Sequence, residues 1–375
     1  MSIVIVGAGL SGLVCARQCL KELSSRDVKI TLVEARDRIG CRMYSDSGVD
    51  MGAAWSWIFN DQHLQKLSKE MKVSLEPQLT KGKSIIQGYN GAIRLGGEES
   101  PSGSGSTRFR GTASSIVKAL TAELEANPSV TILKNTAVTA VFISPPGDLC
   151  PLDGEVRVSI TDGSASNSSS SISANAVVFA MPPQLITSGI NFNPPLAEDK
   201  RRAMQDTPTW MFQAGKVAFT YERRFWYSDK GLRGTAFSEI GPIVQAWDSS
   251  SEADGIAALA GFVFGDDLKY LRDEESLRAS PVMAQMVQLF GAEAANPTGV
   301  MYKSWIDDPH TTVQGGEQTP GSLDFGHPLV CRPHEGRVFF AGTEAAKSKM
   351  LDSWALDLLS FSCIVILWIH DLTVV

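Results

Sequence analysis

Six residues near the start of the chain constrain its fold more than any others. Gly7-Ala8-Gly9-Leu10-Ser11-Gly12 spells G-x-G-x-x-G. The run before it, Ile3-Val4-Ile5-Val6, is short, continuous and β-branched, which predicts a buried strand. After it, Leu13, Ala16, Leu20 and Leu23 recur at helical spacing and predict a helix over residues 10–23. Lys29–Val33 reads as a second buried strand, which completes one βαβ unit of the expected size. In that setting Gly7 allows a tight turn, Gly9 lets the backbone approach a pyrophosphate, and Gly12 lets helix and strand pack closely. The free N–H groups of the first turn, where Ser11 lies, and the positive end of the helix dipole suit phosphates. Glu34 closes the second strand, 22 residues past Gly12. A carboxylate there accepts hydrogen bonds from both ribose hydroxyls and repels a 2′-phosphate, so NADP is disfavoured. The fingerprint alone leaves FAD and NAD both open.

A chain of 375 residues is long enough for one large two-lobed domain or two interleaved ones. Its net charge of −7 argues against nucleic acid or an anionic membrane as the main partner, because both select for clustered Lys and Arg. The cysteines (Cys15, Cys19, Cys41, Cys150, Cys331 and Cys363) form no C-x-x-C pair, and histidines are few. Neither a metal site nor a disulfide framework is expected. Cys15 and Cys19, one turn apart, read as residues of a helix face. The first strand begins so early that no signal peptide is expected, and a cytoplasmic protein is the default. The apolar run Leu358–Ile369 has 12 residues, short of the roughly 20 that span a bilayer, so a buried or partly exposed helix is expected rather than an anchor. The last three residues are not a peroxisomal tripeptide. Oligomeric state is not legible.

Farther along, residues 61–72 read as a helix and Gly96–Ser106 as a flexible loop. Ala113–Leu124 is expected to be an amphipathic helix and Val130–Leu133 a strand. Alternation at Val156, Val158 and Ile160 suggests a half-exposed strand of an antiparallel meander, followed by a turn at Asp162-Gly163 and an exposed loop in the serine run 166–171. Ala176–Ala180 is a buried strand stopped by Pro182-Pro183. From about residue 190 to 310 the pattern shifts to longer strands, Gly215–Tyr221 and Ile256–Val263, with a helix near 275–290. Val338–Ala341 reads as a last buried strand.

Five ordered segments then carry a resemblance. Glu34-Ala35-Arg36-Asp37-Arg38-Ile39-Gly40-Cys41-Arg42 resembles E-A-R-x-R-x-G-G-R, and Asp50-Met51-Gly52-Ala53-Ala54-Trp55 resembles D-x-G-[GA]-x-W. Arg110-Gly111 resembles an R-G-G stretch, and residues 176–183 resemble V-I-V-A-x-P-P. Residues 337–344 resemble R-[IV]-x-F-A-G-T-E. The family with these motifs is that of the flavin amine oxidases, which includes monoamine, polyamine and L-amino-acid oxidases. The resemblance implies an α/β fold: a Rossmann-like FAD-binding domain of the GR2 flavoprotein type, interleaved with a smaller α+β substrate domain. FAD-binding parts are expected at 1–75, 111–190 and 311–346, substrate-lobe parts at 76–110 and 191–310, and an atypical apolar tail at 347–375.

The resemblance also implies roles. Glu34, Ala35 and Arg36 would belong to the ribose end of the FAD site, and Arg42 would neutralise the pyrophosphate. Gly52, Ala53, Ala54 and Trp55 would pass close to the isoalloxazine ring. The backbone of Val138 would meet the adenine. Gly342, Thr343 and Glu344 would meet the ribitol and pyrophosphate side. Lys216, ahead of Phe225-Trp226, resembles the family lysine that holds a water near flavin N5; an ordinary strand lysine with its head in solvent is the alternative. The implied reaction takes a hydride from the α-carbon of a neutral small-molecule amine to flavin N5, hydrolyses the imine, and reoxidises the flavin with O2 to give peroxide.

The sequence departs from the family pattern in four places. Cys41 replaces the second glycine of G-G-R. Only a short stretch, Ile93 to Phe109, stands where the family has a long helical insert, so an open pocket is expected. Residues 314–321 hold neither the family's covalent-flavin cysteine nor its cage tyrosine, so the FAD is expected to be non-covalent. After Ala346 the chain does not follow the family's flavin-capping segment. An amine oxidase is therefore weighed against two alternatives: a degenerate FAD-binding relative without turnover, and a flavin-dependent desaturase of the same fold.

Overall fold

The fingerprint strand lies at the centre of a parallel sheet. In this computed structural model, which describes residues 1–57, 62–97, 106–144, 155–163, 169–313 and 325–345, strand β1 (Ser2–Val6) pairs with β2 (Lys29–Val33) on one side and with Ala176–Phe179 on the other. Val130–Leu133 and Val338–Phe340 complete five parallel strands. Val4 is in register with Thr31 and Val177, and β1 is buried from Ile3 to Val6, as a strand covered on both faces must be. Helix α1 (Leu10–Glu22) turns Leu13, Ala16 and Cys19 inward, where they share a core with Ile116 and Leu120 of the helix Ser114–Glu125. Arg17 ties these helices to the helix Gln62–Glu70 through ion pairs with Glu123 and Glu70, each 2.6 Å.

A four-stranded sheet sits above this layer in the order Ser169–Ala174, Val156–Asp162, Thr136–Ile143, Asn191–Asn193. The serine run is corrected here. Ser169 to Ser171 belong to an edge strand rather than a loop, with Ser170 in register with Ile160. Their side chains are exposed, so backbone pairing, which the serines do not oppose, decides their state. Residues 164–168 lie outside the described residues.

The chain enters a third, seven-stranded sheet at Lys83–Gln87 and Ile93–Leu95, leaves it, and returns between residues 214 and 304. The order runs Gly299–Ser304, Ala214–Tyr221, Ala257–Phe264, Ile243–Asp248, Leu232–Ser238, Lys83–Gln87, Ile93–Leu95. Alternation gives each face its own role. Val217, Phe219 and Tyr221 pack against Val282, Met286 and Leu289. Ala218, Ala258, Ala260 and Phe262 face the other way and meet Val49, Met51 and Trp247. The helix read near 275–290 is two helices, Glu274–Arg278 and Pro281–Phe290. Pro281 has no N–H to continue the first, and Ser280 accepts from the Val282 amide to start the second. The expected tail, residues 347–375, lies outside the described residues, as do 314–321, Cys150 and Cys363. No helix among the described residues is long and apolar enough to cross a membrane.

Candidate active site

The turn after β1 has no room for a side chain at Gly7 or Gly12. A Cβ on Gly12 would fall 1.9 Å from the Gly7 carbonyl oxygen, and one on Gly7, which sits at φ +99°, would fall 2.7 Å from the Ala180 oxygen. Gly9 is the N-cap of α1 and carries no side-chain cap, and the first intrahelical bond runs from Leu13 N–H to Gly9 O at 3.0 Å. The amides before Leu13 therefore have no helical acceptor, and they open onto a cavity of about 380 Å³ lined by Gly7, Gly9 and Ser11.

Glu34 lies on the wall of the same cavity, 97% buried. Its Oε2 accepts from Ala8 N–H at 2.9 Å and its Oε1 from Arg36 N–H at 3.0 Å. A carboxylate offers about four lone-pair sites, so capacity remains for a vicinal diol. Ala35 and Arg36 continue the wall. The Arg36 guanidinium is fixed by Asp308 at 2.6 Å and Thr311 at 2.8 Å. Burial would raise the Asp308 carboxyl, yet Arg36 and Lys303 hold it down at about 2. Val138, Gly342 and Thr343 complete the cavity. Cys41 also lines it, at φ +47°, a left-handed conformation that costs a non-glycine residue about 1–2 kcal/mol.

A second cavity, of about 480 Å³, meets the first at Arg42 and Ala53, which line both. Gly52, Ala54 and Trp55 line the second. A Cβ on Gly52 would fall 1.7 Å from the Arg42 carbonyl oxygen, so the segment can lie on Arg42 only because residue 52 is glycine. Lys216 projects into this cavity from strand Ala214–Tyr221. It is 98% buried, and Nζ donates to the carbonyls of Asp50 (3.0 Å) and Gly52 (2.6 Å). The rings of Trp55, Trp247 and Phe262 surround it at 5.9, 5.2 and 5.5 Å. Burial pulls its ammonium down to about 8, with Asp50 acting in the opposite direction. The Asp50 carboxyl is itself raised by burial, and the Ala113 amide at 2.8 Å opposes that rise.

Two of the expected residues line neither cavity. Gly12 acts through packing. Glu344 is fully buried beneath the junction, 3.1 Å from Arg42 Nη1 and 3.0 Å from the Trp210 amide. Arg42 is thus aimed by a buried carboxylate rather than left free. Residues the sequence did not single out include Asp308, Trp210, Trp247, Phe262 and Arg233. The two on strands Ile243–Asp248 and Ala257–Phe264 could have been found from period-two alternation. Asp308 could not, because it meets Arg36 across 272 residues of chain.

The family model described as flavin containing amine oxidoreductase matches residues 85–349, well over half of the chain. The chain belongs to that family. A second model, described as an NAD(P)-binding Rossmann-like domain, matches residues 5–71. Among curated proteins, the chain is similar to an L-amino acid dehydrogenase of Synechocystis sp., 31% identical over 174 residues, which is 45% of this chain and 35% of that protein. It is also similar to a probable flavin-containing monoamine oxidase A of Dictyostelium discoideum, 28% identical over 202 residues, which is 52% of this chain and 43% of that one. The aligned stretches thus span less than half the length of these relatives. Among solved structures, cyclohexylamine oxidase from Brevibacterium oxydans IH-35A superposes with a TM-score of 0.77 at 17% identity over 99% of both chains, a likeness of fold.

The cofactor this family implies is FAD. The residues present fit it on structural grounds: an uncapped helix N-terminus behind two glycines that admit no Cβ, a buried carboxylate with spare acceptor sites, and an adjoining cavity reached past Arg42.

Proposed function

We propose that the chain binds FAD non-covalently and oxidises the CH–NH bond of a small-molecule amine to an imine, with O2 as acceptor and H2O2 as product. One observation supports this above the others. Lys216 is buried against the Gly52–Trp55 segment, in a cavity that shares Arg42 and Ala53 with the dinucleotide cradle. Bound FAD would supply the acceptor for a hydride from the amine α-carbon and return the electron pair to O2. The imine then takes up water to give an aldehyde or ketone plus an amine or ammonia.

The chain's own residues would hold, orient and dry the reactants. Gly9 and Ser11 present the amides, Arg42 the cation and Glu34 the diol acceptor. Trp55, Trp247 and Phe262 wall off water, and an apolar surround favours the neutral amine that the chemistry requires. Two of the Lys216 N–H groups are committed to Asp50 and Gly52, so a single position of Nζ faces the cavity. In the ammonium form that position donates, to a water or to the substrate. In the neutral form it is a lone pair that can take the proton of an incoming ammonium.

A pH profile follows from the depressed Lys216 value. Burial destabilises the ammonium, so deprotonation occurs near pH 8 rather than near 10.5. Anaerobic flavin reduction by an amine should rise with pH through an inflection near 8. That inflection should vanish in Lys216→Met, and its survival there would assign it to another group. Glu34→Ala should weaken FAD binding by about 1–3 kcal/mol, the cost of unpaired polar contacts. Unchanged affinity in a fluorescence titration would remove Glu34 from the ribose site.

The test of the reading itself is anaerobic mixing of the FAD-loaded chain with a panel of amines. Bleaching of the flavin band, then peroxide on readmission of O2, is the expected result. A bound flavin that no amine bleaches would favour a relative without turnover. Bleaching without peroxide would favour a desaturase or a dehydrogenase.

A further inference from the structure

The second cavity has an unusual charge balance for a pocket that would receive an amine. Arg42, Lys216 and Arg233 line it, and among the described residues no aspartate or glutamate does. Arg42 is paired with Glu344, and Lys216 is held by two carbonyls. Arg233 is different. It is 96% buried, and its Nη1 has no hydrogen-bond partner among the described residues. Burial lowers the proton affinity of the guanidinium, with no charged neighbour to offset it. The nearby carboxylate of Asp248 is already engaged by Trp226 Nε1 at 2.8 Å, the Ser250 amide at 3.0 Å and Arg224 at 3.3 Å. A second buried donor lining the cavity, Trp247 Nε1, also has no partner among the described residues.

Local structure holds Arg233 in this position. Arg233, Thr235 and Phe237 alternate along strand Leu232–Ser238 and all line the cavity. Between them Gly234, at φ +79°, is pressed so closely against Asp248 that an added Cβ would lie 2.8 Å from the Asp248 Cβ. The strand therefore cannot turn Arg233 away. A bound anion would supply the partner that this guanidinium lacks among the described residues.

Position supplies the second half of the argument. The strand bearing Arg233 lies three strand spacings from the one bearing Lys216, with Ala257–Phe264 and Ile243–Asp248 between them. At about 4.8 Å per spacing the two strands are roughly 14 Å apart across the sheet. Lys216 aligns through Phe262 and Gln245 with Phe237, so Arg233 lies a further four residues along its strand. The side chains between them are Phe262 and Trp247, which suit an apolar body.

We infer, on the amine-oxidation reading above, that the substrate is an amine whose apolar body carries an acidic group at the end remote from the reacting carbon, held by Arg233. A second ammonium at that end would instead face a buried guanidinium, so diamines are disfavoured.

A matched set of straight-chain compounds tests this on the FAD-loaded chain. Calorimetry compares caproate with hexanol as unreactive probes. Caproate should bind about tenfold tighter or more, the scale of a charge-assisted hydrogen bond, and Arg233→Gln should abolish the difference. Arg233→Lys should restore part of it. Arg233→Gln should melt no lower than the parent, because it removes an unpaired buried charge. In turnover, kcat/KM should favour ε-aminocaproate over hexylamine by about tenfold and over hexamethylenediamine by more, and in Arg233→Gln the first ratio should fall near unity. Caproate binding no better than hexanol would overturn the inference, even with hexylamine oxidised. A preference for norleucine over ε-aminocaproate would also overturn it, by placing the acid beside the reacting carbon. Arg233-dependent caproate binding without oxidation of any amine would support the anion site and count against the oxidase reading instead.

Discussion

Lys216→Met is expected to keep its FAD and to lose about a hundredfold or more in the rate of amine-driven flavin reduction, the usual scale for removing a positioned proton donor or acceptor. Retention follows from geometry. Methionine fills much of the same volume between Trp55, Trp247 and Phe262, and the dinucleotide cradle is built from other residues. The carbonyls of Asp50 and Gly52 lose their donor, at a cost of about 1–3 kcal/mol each. Removing a buried ammonium offsets much of that cost. The rate falls because the other charged side chains lining the cavity among the described residues, Arg42 and Arg233, are guanidiniums that keep their protons and cannot replace it. Stopped-flow absorbance of the variant against the parent checks this, and a variant that reduces within a few-fold of the parent removes Lys216 from the mechanism.

Gly12→Ala is expected to be more damaging than any substitution of a lining side chain. One methyl group would stand 1.9 Å from the Gly7 carbonyl oxygen and 3.4 Å from the Ala180 Cβ. The first contact is with backbone, so it cannot be relieved by a rotamer change. Helix α1 would have to lift from β1, carrying its amides away from the phosphate position. The expected cost is about 3 kcal/mol or more in folding stability, with loss of bound FAD. Gly88→Ala is the control. Its nearest new contact is 3.5 Å, to the Asn90 side chain, and it should melt and bind flavin like the parent. Equal behaviour of the two alanine variants would mean that the close packing at Gly12 does not set the cofactor site.

The legible part of the molecule is the part whose determinants are local. Strand, turn, helix and acid all fall within the first 34 residues, and each has its own signal: β-branched continuity, glycine spacing, helical period and a strand-ending carboxylate. The Gly52–Trp55 segment and Lys216 were found through motif resemblance rather than through periodicity. The rest depended on pairings that no local pattern encodes. Lys83–Gln87 lies parallel to Leu232–Ser238, and Arg36 reaches Asp308. The alternation of Thr235 and Phe237 with Arg233 carries meaning only once Gly234 is seen against Asp248. Glu344 sits in a motif the sequence makes visible, whereas its pairing with Arg42, 302 residues away in the chain, is not local. Ser169 to Ser171 read as loop because their composition is polar, whereas an available strand edge recruited their backbone.

The central claim is that the open amides of α1 and the carboxylate of Glu34 hold an adenine dinucleotide whose far end reaches the Lys216 cavity. Titration of the purified, folded chain with FAD, followed by visible absorbance and calorimetry, tests it most directly. The account predicts saturation at one FAD per chain, with the flavin band perturbed by its apolar surroundings. A well-folded preparation that stays colourless after exposure to excess FAD and removal of free flavin would contradict it.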